Sequence, residues 1–313
     1  MDKKYFFKIG ILSPVFLLLL SFTSLAGNNY LNKTDSNLKV LEERTFNTTP
    51  GKKFILKASA GDVFISTTDS PNVYIKISGN ENAQKNFTFD FENNSDGVTV
   101  TTKKKDKWNI FNLFHNINLR FEITLPKNYN ANVSSSGGDI NLASLQGEIV
   151  LKSSGGDITV KNTNGKLDIS TSGGDIALDN AVGNQKLSTS GGDIESNGFN
   201  GNIDASTSGG DINLDGSNGE INASTSGGEV RLNYSGKNLG IKLKSSGGDV
   251  VAKLPSDFNA HADLHASGGD INCVFKANNV DHISSSKYEA DLNSGGKVLY
   301  VRTSGGDINI QKR

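Results

Sequence analysis

A short motif of serine, two glycines and an acidic residue recurs along this chain at a fixed interval, and no other feature restricts the fold as strongly. From Asp139 to Glu229 the acidic residue returns every 18 residues. Short units repeated at a constant period stack on their own copies, because one unit alone cannot bury its apolar face. The repeat therefore predicts a solenoid. Its acidic positions are Asp139, Asp157, Asp175, Asp193, Asp211 and Glu229, followed at less regular spacing by Asp249, Asp270 and Asp307.

Each 18-residue unit contains two pairs of alternating aliphatic residues. Ile158 and Val160 follow one acidic residue, and Leu167 and Ile169 follow Gly165. Alternation with a period of two places both members of a pair on one face of a strand. The unit is predicted to be strand, glycine turn, strand, glycine turn, with equivalent strands stacked about 4.8 Å apart. An up-and-down barrel or sandwich is the alternative, although neither needs a constant spacing.

Three regions are expected along the chain. Residues 1–26 have the pattern of a signal peptide: lysines at the start, an apolar stretch from Ile9 to Leu20, and Ser24-Leu25-Ala26 at the cleavage position. The alternative is an uncleaved N-terminal anchor. Residues 27–130 form an irregular β region, and residues 131–313 form the solenoid, regular over 139–229 and irregular over 230–313. The export signal predicts a periplasmic, cell-surface or secreted protein.

The two ends of the stack and one coil are expected to differ from the rest. Aromatic residues before position 130 are expected to close the N-terminal end, which otherwise exposes unpaired strand edges. Val298 to Val301 and Ile308 to Ile310 are expected to finish the stack. Within the regular part, Gln185 and Ser196 replace aliphatic residues, so the coil of residues 181–198 is predicted to be the softest.

Composition excludes several classes of protein. The formal net charge is −1, so the chain lacks the basic footprint of a nucleic-acid-binding protein. Cys273 is the only cysteine, which rules out an intramolecular disulfide. The sequence shows no Ser-His-Asp set, nucleotide-binding loop or CxxC motif. His261 and His265 have the spacing of a helical metal pair, but Ala262 and Leu264 alternate as in a strand, so no cofactor or metal is expected there.

The acidic residues of the repeat raise an electrostatic question. Carboxylates stacked about 4.8 Å apart repel one another by roughly 1 kcal/mol in water. The favoured explanation is that each carboxylate accepts backbone N–H groups of its own turn. The alternative is a row of weak divalent-cation sites, since oxygen ligands suit calcium. The candidate ligands are Asp139, Asp157, Asp175, Asp193, Asp211, Glu229 and Asp249.

A second column carries hydroxyl groups, in the Ser-Thr-Ser segments at 170–172, 188–190, 206–208 and 224–226. These hydroxyls are expected to hydrogen-bond between coils. Ice binding by an exposed threonine array is the alternative, although only one threonine recurs in each coil.

The segment from Lys103 to His115 differs from the rest of the chain, because it joins a basic run to Trp108, Ile110, Phe111 and Phe114. Aromatic residues beside lysines are typical of contacts with a partner protein or a membrane interface. The alternative is a hairpin or short helix that packs its apolar side on the first coil.

The Ser-Gly-Gly-Asp-Ile repeats, preceded by a β-rich region and by Leu125-Pro126, resemble the bacterial "putative adhesin" family of β-strand-repeat domains, a domain of unknown function. The family is similar to the head domains of auto-transporter adhesins. The resemblance covers roughly residues 40–313 and implies an exported β-helical protein with an adhesive or envelope role. It assigns no catalytic residues.

The expected function is therefore that of an exported, non-enzymatic adhesin-like protein, which presents a rigid repeat surface to a protein, a glycan or an envelope component. A purely structural spacer or oligomerisation element is the first alternative. A polysaccharide-active β-helix enzyme is the second, and it requires a local, non-repeating group of carboxylates beside arginine or lysine.

Overall fold

The computed structural model describes residues 38–105 and 117–313, and this part of the chain is almost entirely β structure. It contains 25 strands and one short helix, α1 (Glu81–Asn86). All 25 strands are connected in one hydrogen-bonded sheet. The predicted all-β class is confirmed. Among the described residues, no helix has the length and apolar character needed to cross a membrane.

The strands fall into three groups along the chain. Before the regular repeats lie β1 (Lys39–Asn47), β2 (Lys53–Ala58), β3 (Asp62–Thr68), β4 (Asn72–Gly79), β5 (Phe87–Asn94), β6 (Gly97–Lys104), β7 (Leu119–Pro126) and β8 (Asn130–Ser135). The regular repeats contain β9 (Ile140–Ala143), β10 (Gln146–Ser153), β11 (Ile158–Ser170), β12 (Ile176–Ser188), β13 (Ile194–Asn200), β14 (Ile203–Ser206), β15 (Ile212–Ser217) and β16 (Ile221–Ser224). The C-terminal group comprises β17 (Val230–Tyr234), β18 (Ile241–Lys244), β19 (Val250–Leu254), β20 (Ala260–Ala266), β21 (Ile271–Cys273), β22 (Ala277–Ile283), β23 (Lys287–Leu292), β24 (Val298–Thr303) and β25 (Ile308–Lys312).

Successive coils stack in parallel with the register that the sequence period predicts. Ile158 of β11 lies beside Ile176 of β12, and Ile176 lies beside Ile194 of β13. The aliphatic residues that alternate along each strand, such as Ile158 and Val160, are fully buried. Side chains of one type therefore form columns inside the stack. The predicted β-solenoid of 18-residue coils is confirmed.

Each coil contributes to two ladders of strands. The first ladder contains the strands that directly follow an acidic residue, such as β9, β13 and β15, together with the first halves of β11 and β12. The second ladder contains the later strands, such as β10, β14 and β16, together with the second halves of β11 and β12. Apolar residues from both ladders belong to one core.

The order of coils in space differs from their order in the chain at both ends. The coil of β2 and β3 lies between the coil of β6 and β7 and the coil of β8 and β9. In the same way, β24 lies between β18 and β20, and β25 lies between β19 and β21. The expectation that residues 298–310 finish the stack is therefore wrong. Inside the stack these strands gain hydrogen-bonded neighbours on both sides.

Antiparallel strands lie at three of the four outer positions instead, and the fourth outer strand, β21, is parallel to β25. At the C-terminal end, β23 pairs with β20 and β22 pairs with β23. At the N-terminal end, β4 pairs with β1 and β7, and β5 pairs with β6. Aromatic rings pack there as expected: the centroids of Phe89 and Phe121 lie 6.3 Å apart, and those of Phe46 and Phe91 lie 6.2 Å apart.

Two of the predicted region boundaries fall among the described residues, and the one between residues 229 and 230 coincides with the start of β17 at Val230. The signal peptide expected at residues 1–26 lies outside the described residues. The boundary expected between residues 130 and 131 falls at the start of β8, whose first residue is Asn130. These boundaries stay predictions.

The second glycine of each Gly-Gly pair lies directly against the coil before it. A Cβ atom added to Gly174 would lie 2.3 Å from the carbonyl oxygen of Gly156. A Cβ atom added to the preceding residue, Gly173, would have its nearest neighbour at 3.7 Å. At this corner only the second glycine, Gly174, is thus required by packing, since an oxygen cannot approach a carbon so closely.

We expect Gly174→Ala to lower the free energy of unfolding by about 2 kcal/mol or more, because the added methyl group forces two coils apart. The matched variant Gly173→Ala should stay within about 0.5 kcal/mol of the unaltered protein. Urea denaturation followed by circular dichroism measures both. Equal denaturation midpoints for the two variants would contradict this account of the corner.

The two polar residues of the coil of residues 181–198 point into the core. Gln185 and Ser196 are 3% and 0% exposed. The Gln185 side-chain nitrogen donates to the Ala181 carbonyl oxygen at 3.0 Å, and Ser196 Oγ lies 3.5 Å from Gln185 Oε1. These contacts satisfy polar atoms but replace apolar packing with one long hydrogen bond.

Hydrogen exchange should therefore be faster in residues 181–198 than in residues 158–170, where Ile158, Val160, Leu167 and Ile169 fill the equivalent inward positions. Mass-spectrometric exchange of the native protein measures this difference. If residues 181–198 were the best-protected segment of the regular stack, the prediction would be wrong.

Candidate functional site

The acidic residues of the repeat form a column of hydrogen bonds that runs from coil to coil. Oδ1 of Asp157 accepts the backbone N–H of Asp175 at 2.9 Å, and Oδ1 of Asp175 accepts that of Asp193 at 2.8 Å. The same contact joins Asp62, Asp139, Asp157, Asp175, Asp193, Asp211 and Glu229 in sequence. We call this set the aspartate column. The carboxylates were expected to bond within their own turns, and this detail was wrong, because the neighbouring coil presents its N–H group closer.

The backbone of each acidic residue bonds in both directions along the stack. The Asp175 carbonyl oxygen accepts the N–H of Ile158 at 2.9 Å, whereas the Asp175 N–H points to the carboxylate of Asp157. Each corner from Asp139 to Glu229 is therefore tied to the coil before it by both a backbone bond and a charged acceptor. Hydrogen bonds to ionised acceptors are stronger than neutral ones. They offset the repulsion between stacked carboxylates.

The aspartate column resumes in the C-terminal coils in spatial order. Asp307 donates its N–H to Asp249 Oδ1 at 2.8 Å, and Asp270 donates to Asp307 Oδ1 at 2.9 Å. Asp307 thus lies between two residues that precede it in the chain. The row of cation sites considered at Asp139 to Asp249 stays a prediction, and a cation there would compete with backbone N–H groups for Oδ1.

The threonine hydroxyls of the Ser-Thr-Ser segments form a second column, which is buried beside the Gly-Gly pairs. Thr171 Oγ1 donates to the Gly156 carbonyl oxygen at 2.9 Å and accepts the Gly174 N–H at 3.4 Å. Thr189 repeats both contacts one coil later. Hydrogen bonding between coils is confirmed for these hydroxyls. Since the threonines are buried, they do not form the exposed array that ice binding requires.

The basic and aromatic segment is only partly described. Trp108, Ile110, Phe111 and Phe114 lie outside the described residues. Their contact with a partner or a membrane stays a prediction. Lys103, at the start of the segment, forms an ion pair with Asp90 at 2.5 Å, and this hydrogen bond and charge raise the pKa of the Lys103 ammonium.

A non-repeating surface appears where the last coil enters the stack. Strands β18, β24, β20 and β23 lie side by side there. Their outward side chains alternate with buried aliphatic residues. We call this surface the C-terminal face. Its outward residues are Lys242, Lys244, Tyr300, Arg302, His261, Asp263, His265, Lys287, Glu289 and Asp291.

Three cationic groups gather around Tyr300 on the C-terminal face. The Arg302 guanidinium carbon lies 4.1 Å from the centre of the ring, and the ammonium nitrogens of Lys244 and Lys242 lie 5.4 and 5.8 Å from it. Arg302 also donates to both carboxylate oxygens of Asp263 at 2.7 Å. Within the described ranges, no carboxylate oxygen lies within 4.0 Å of either lysine nitrogen.

The remaining acidic residues of this face already have partners. Asp291 accepts from Asn279 at 2.8 Å and lies 3.0 Å from His261 Nδ1. These two hydrogen bonds, that of Asn279 first, lower the pKa of the Asp291 carboxyl. Glu289 forms an ion pair with Lys287 at 2.8 Å. Lys287 and Glu289 are two residues apart on one strand, whereas only the register between strands brings Asp291 to His261.

The single cysteine lies near the same end. Cys273 is half-buried in β21, and burial raises the pKa of its thiol. A protonated thiol is a poor nucleophile. The geometry therefore does not favour covalent chemistry at Cys273.

The fold and the aspartate column define a class of parallel β-solenoid held together by its corners. A family model described as Toastrack DUF4097 matches residues 52–311, and the chain belongs to this family. The resemblance noted from the repeats is confirmed. No curated protein is significantly similar to the chain.

Several solved bacterial structures are similar to this one. A putative adhesin from Bacteroides fragilis is 18% identical, covering 70% of this chain and 96% of its own, with a TM-score of 0.47. A putative adhesin from Parabacteroides merdae is 13% identical, covering 89% of this chain and 97% of its own, with a TM-score of 0.39. A putative lipid binding protein from Parabacteroides distasonis is 14% identical, covering 89% and 98%, with a TM-score of 0.32.

The variants Asp175→Ala and Asp175→Asn distinguish the contribution of the negative charge from that of the hydrogen bond accepted by the side-chain oxygen. Alanine removes the acceptor for the Asp193 N–H and should lower the free energy of unfolding by about 1 kcal/mol. Asparagine keeps a side-chain oxygen; it loses the ionised acceptor but also removes like-charge repulsion, so its stability should stay close to that of the unaltered protein. Thermal and urea unfolding measure both variants. Equal losses in the two would show that the hydrogen bond is not what the aspartate supplies.

Proposed function

We propose that this chain is an exported, non-catalytic binding protein of the adhesin type, and that its C-terminal face binds an anionic glycan. One observation carries the proposal: Lys242 and Lys244 meet beside Tyr300 on a rigid sheet without a carboxylate of their own. Export rests on the signal-peptide pattern at residues 1–26.

The chemistry of this cluster suits acidic sugars. Lysine ammonium groups pair with carboxylate or sulfate, and the tyrosine ring offers a flat apolar surface with a polar hydroxyl at its edge. Arg302 is held against the ring by its bidentate contact with Asp263. The site is therefore already ordered, which reduces the entropy lost when a ligand binds.

The pairing of the acidic residues favours binding over catalysis. A glycoside-cleaving enzyme needs two carboxyl groups that act on the bond. Here Asp263 is held by Arg302, Asp291 by Asn279 and His261, and Glu289 by Lys287. The spacer function, the first alternative, leaves the lysine and tyrosine cluster without a use.

We expect the purified protein to bind acidic glycans on a glycan array, with affinity that falls as salt rises. The double variant Lys242→Gln/Lys244→Gln should bind at least about tenfold more weakly, since two ion pairs are lost. The matched control is Lys152→Gln/Lys186→Gln, which removes two exposed lysines from regular coils of the same ladder.

Three results would overturn the proposal. Binding to neither glycans nor whole cells would favour the spacer function. Binding to anionic lipid vesicles but not to glycans would make the ligand a membrane surface. Release of shortened sugars from a bound glycan would make the protein an enzyme.

A further inference from the structure

A mixed group of metal-binding side chains lies at the outer edge of the C-terminal face. His261, Asp281 and Glu289 each offer one ligand atom, and these atoms all lie within 4.8 Å of one another. In the part of the chain that the structure describes, this is the one group of three or more such side chains. We propose that it binds a divalent transition-metal ion of the zinc type. The proposal does not depend on the glycan site.

The fold assembles this group from three strands. His261 lies on β20, and the antiparallel partner β23 places Asp291 opposite it and Glu289 two residues away. Asp281 lies on β22, within an irregularity of the pairing between Asn278 and His282. Extra residues in a strand redirect side chains, and such bulges occur beside functional sites.

A carboxylate already holds one nitrogen of the imidazole. Asp291 Oδ1 lies 3.0 Å from His261 Nδ1, and Asn279 fixes the other carboxylate oxygen at 2.8 Å. When Nδ1 carries the proton for this hydrogen bond, Nε2 keeps its lone pair for an ion. Histidines that bind metals commonly have this carboxylate behind the ring, and it raises the basicity of the ligand nitrogen.

The donor set selects the class of ion. One imidazole nitrogen with two carboxylates suits zinc, whereas calcium and magnesium prefer oxygen ligands alone. Lys287 now pairs with Glu289 at 2.8 Å, and both side chains are partly exposed. An exposed ion pair contributes little, so a divalent ion displaces the lysine at small cost.

Bound zinc would join the bulge of β22 to β20. Since β22 is the outermost strand of its ladder, the ion would fasten the edge of the sheet across the intervening strand. The zinc site would thus differ in its effect from the aspartate column, which joins the coils by hydrogen bonds between carboxylates and backbone N–H groups.

Isothermal titration of the purified protein with zinc chloride tests the proposal. We expect one zinc ion per chain, and binding at least about tenfold weaker in Asp281→Asn and in His261→Gln. Asp291→Asn, which removes the carboxylate behind the imidazole, should weaken binding by about 10- to 100-fold. Calcium chloride in place of zinc should give no comparable binding.

His265→Gln is the matched control, because His265 lies on the same strand and the same side as His261 but outside the cluster. It should bind zinc like the unaltered protein. Circular dichroism without zinc checks that each variant is folded, which is expected for Asp281→Asn because Asp281 is exposed. Zinc binding that is absent, or that is equal in Asp281→Asn and His265→Gln, would overturn the assignment.

Discussion

Close contact between stacked corners is the constraint on which the rest of this structure depends. The second glycine of each pair lies so near the preceding coil that no side chain fits between them, as at Gly174 over Gly156. That approach lets the buried hydroxyl of Thr171 bridge two coils, and it lets the carboxylate of Asp157 reach the next backbone N–H. The close approach of the glycine, the hydroxyl bridge and the carboxylate hydrogen bond therefore recur in each regular coil. They hold strands that are too short to be stable alone.

The ends of the stack differ from its middle because their strands have no neighbouring coil on one side. A regular parallel stack leaves unpaired strand edges, which promote aggregation. Here the first and last coils of the chain are inserted one position inward, and antiparallel strands occupy three of the four outer positions. The insertion of β24 next to β18 also has a functional consequence. It brings Tyr300 beside Lys242 and Lys244, and so creates a surface that the repeat itself does not contain.

The sequence predicted the regular coils well because their register is local. Ile158 and Ile176 are one period apart in the chain and neighbours in space, so the sequence period predicts their contact directly. The same logic found the aspartate column and the buried hydroxyls. It failed for the direction of the carboxylate hydrogen bonds, since a distance of about 3 Å from a carboxylate oxygen to the backbone nitrogen of the next coil cannot be derived from sequence spacing alone.

By itself, the amino-acid sequence determined the β class, the 18-residue coil, the corner residues and the polar inward positions at Gln185 and Ser196, because each is set by a short segment and its equivalent neighbours. Only the tertiary structure decided where residues 298–310 go and which side chains share the C-terminal face. The 37-residue interval between Asp270 and Asp307 carries no periodic signal. The path of this segment depends on two opposing free energies: the entropy cost of closing a long loop, and the gain from pairing both edges of an inserted coil. No local sequence pattern reports either of them.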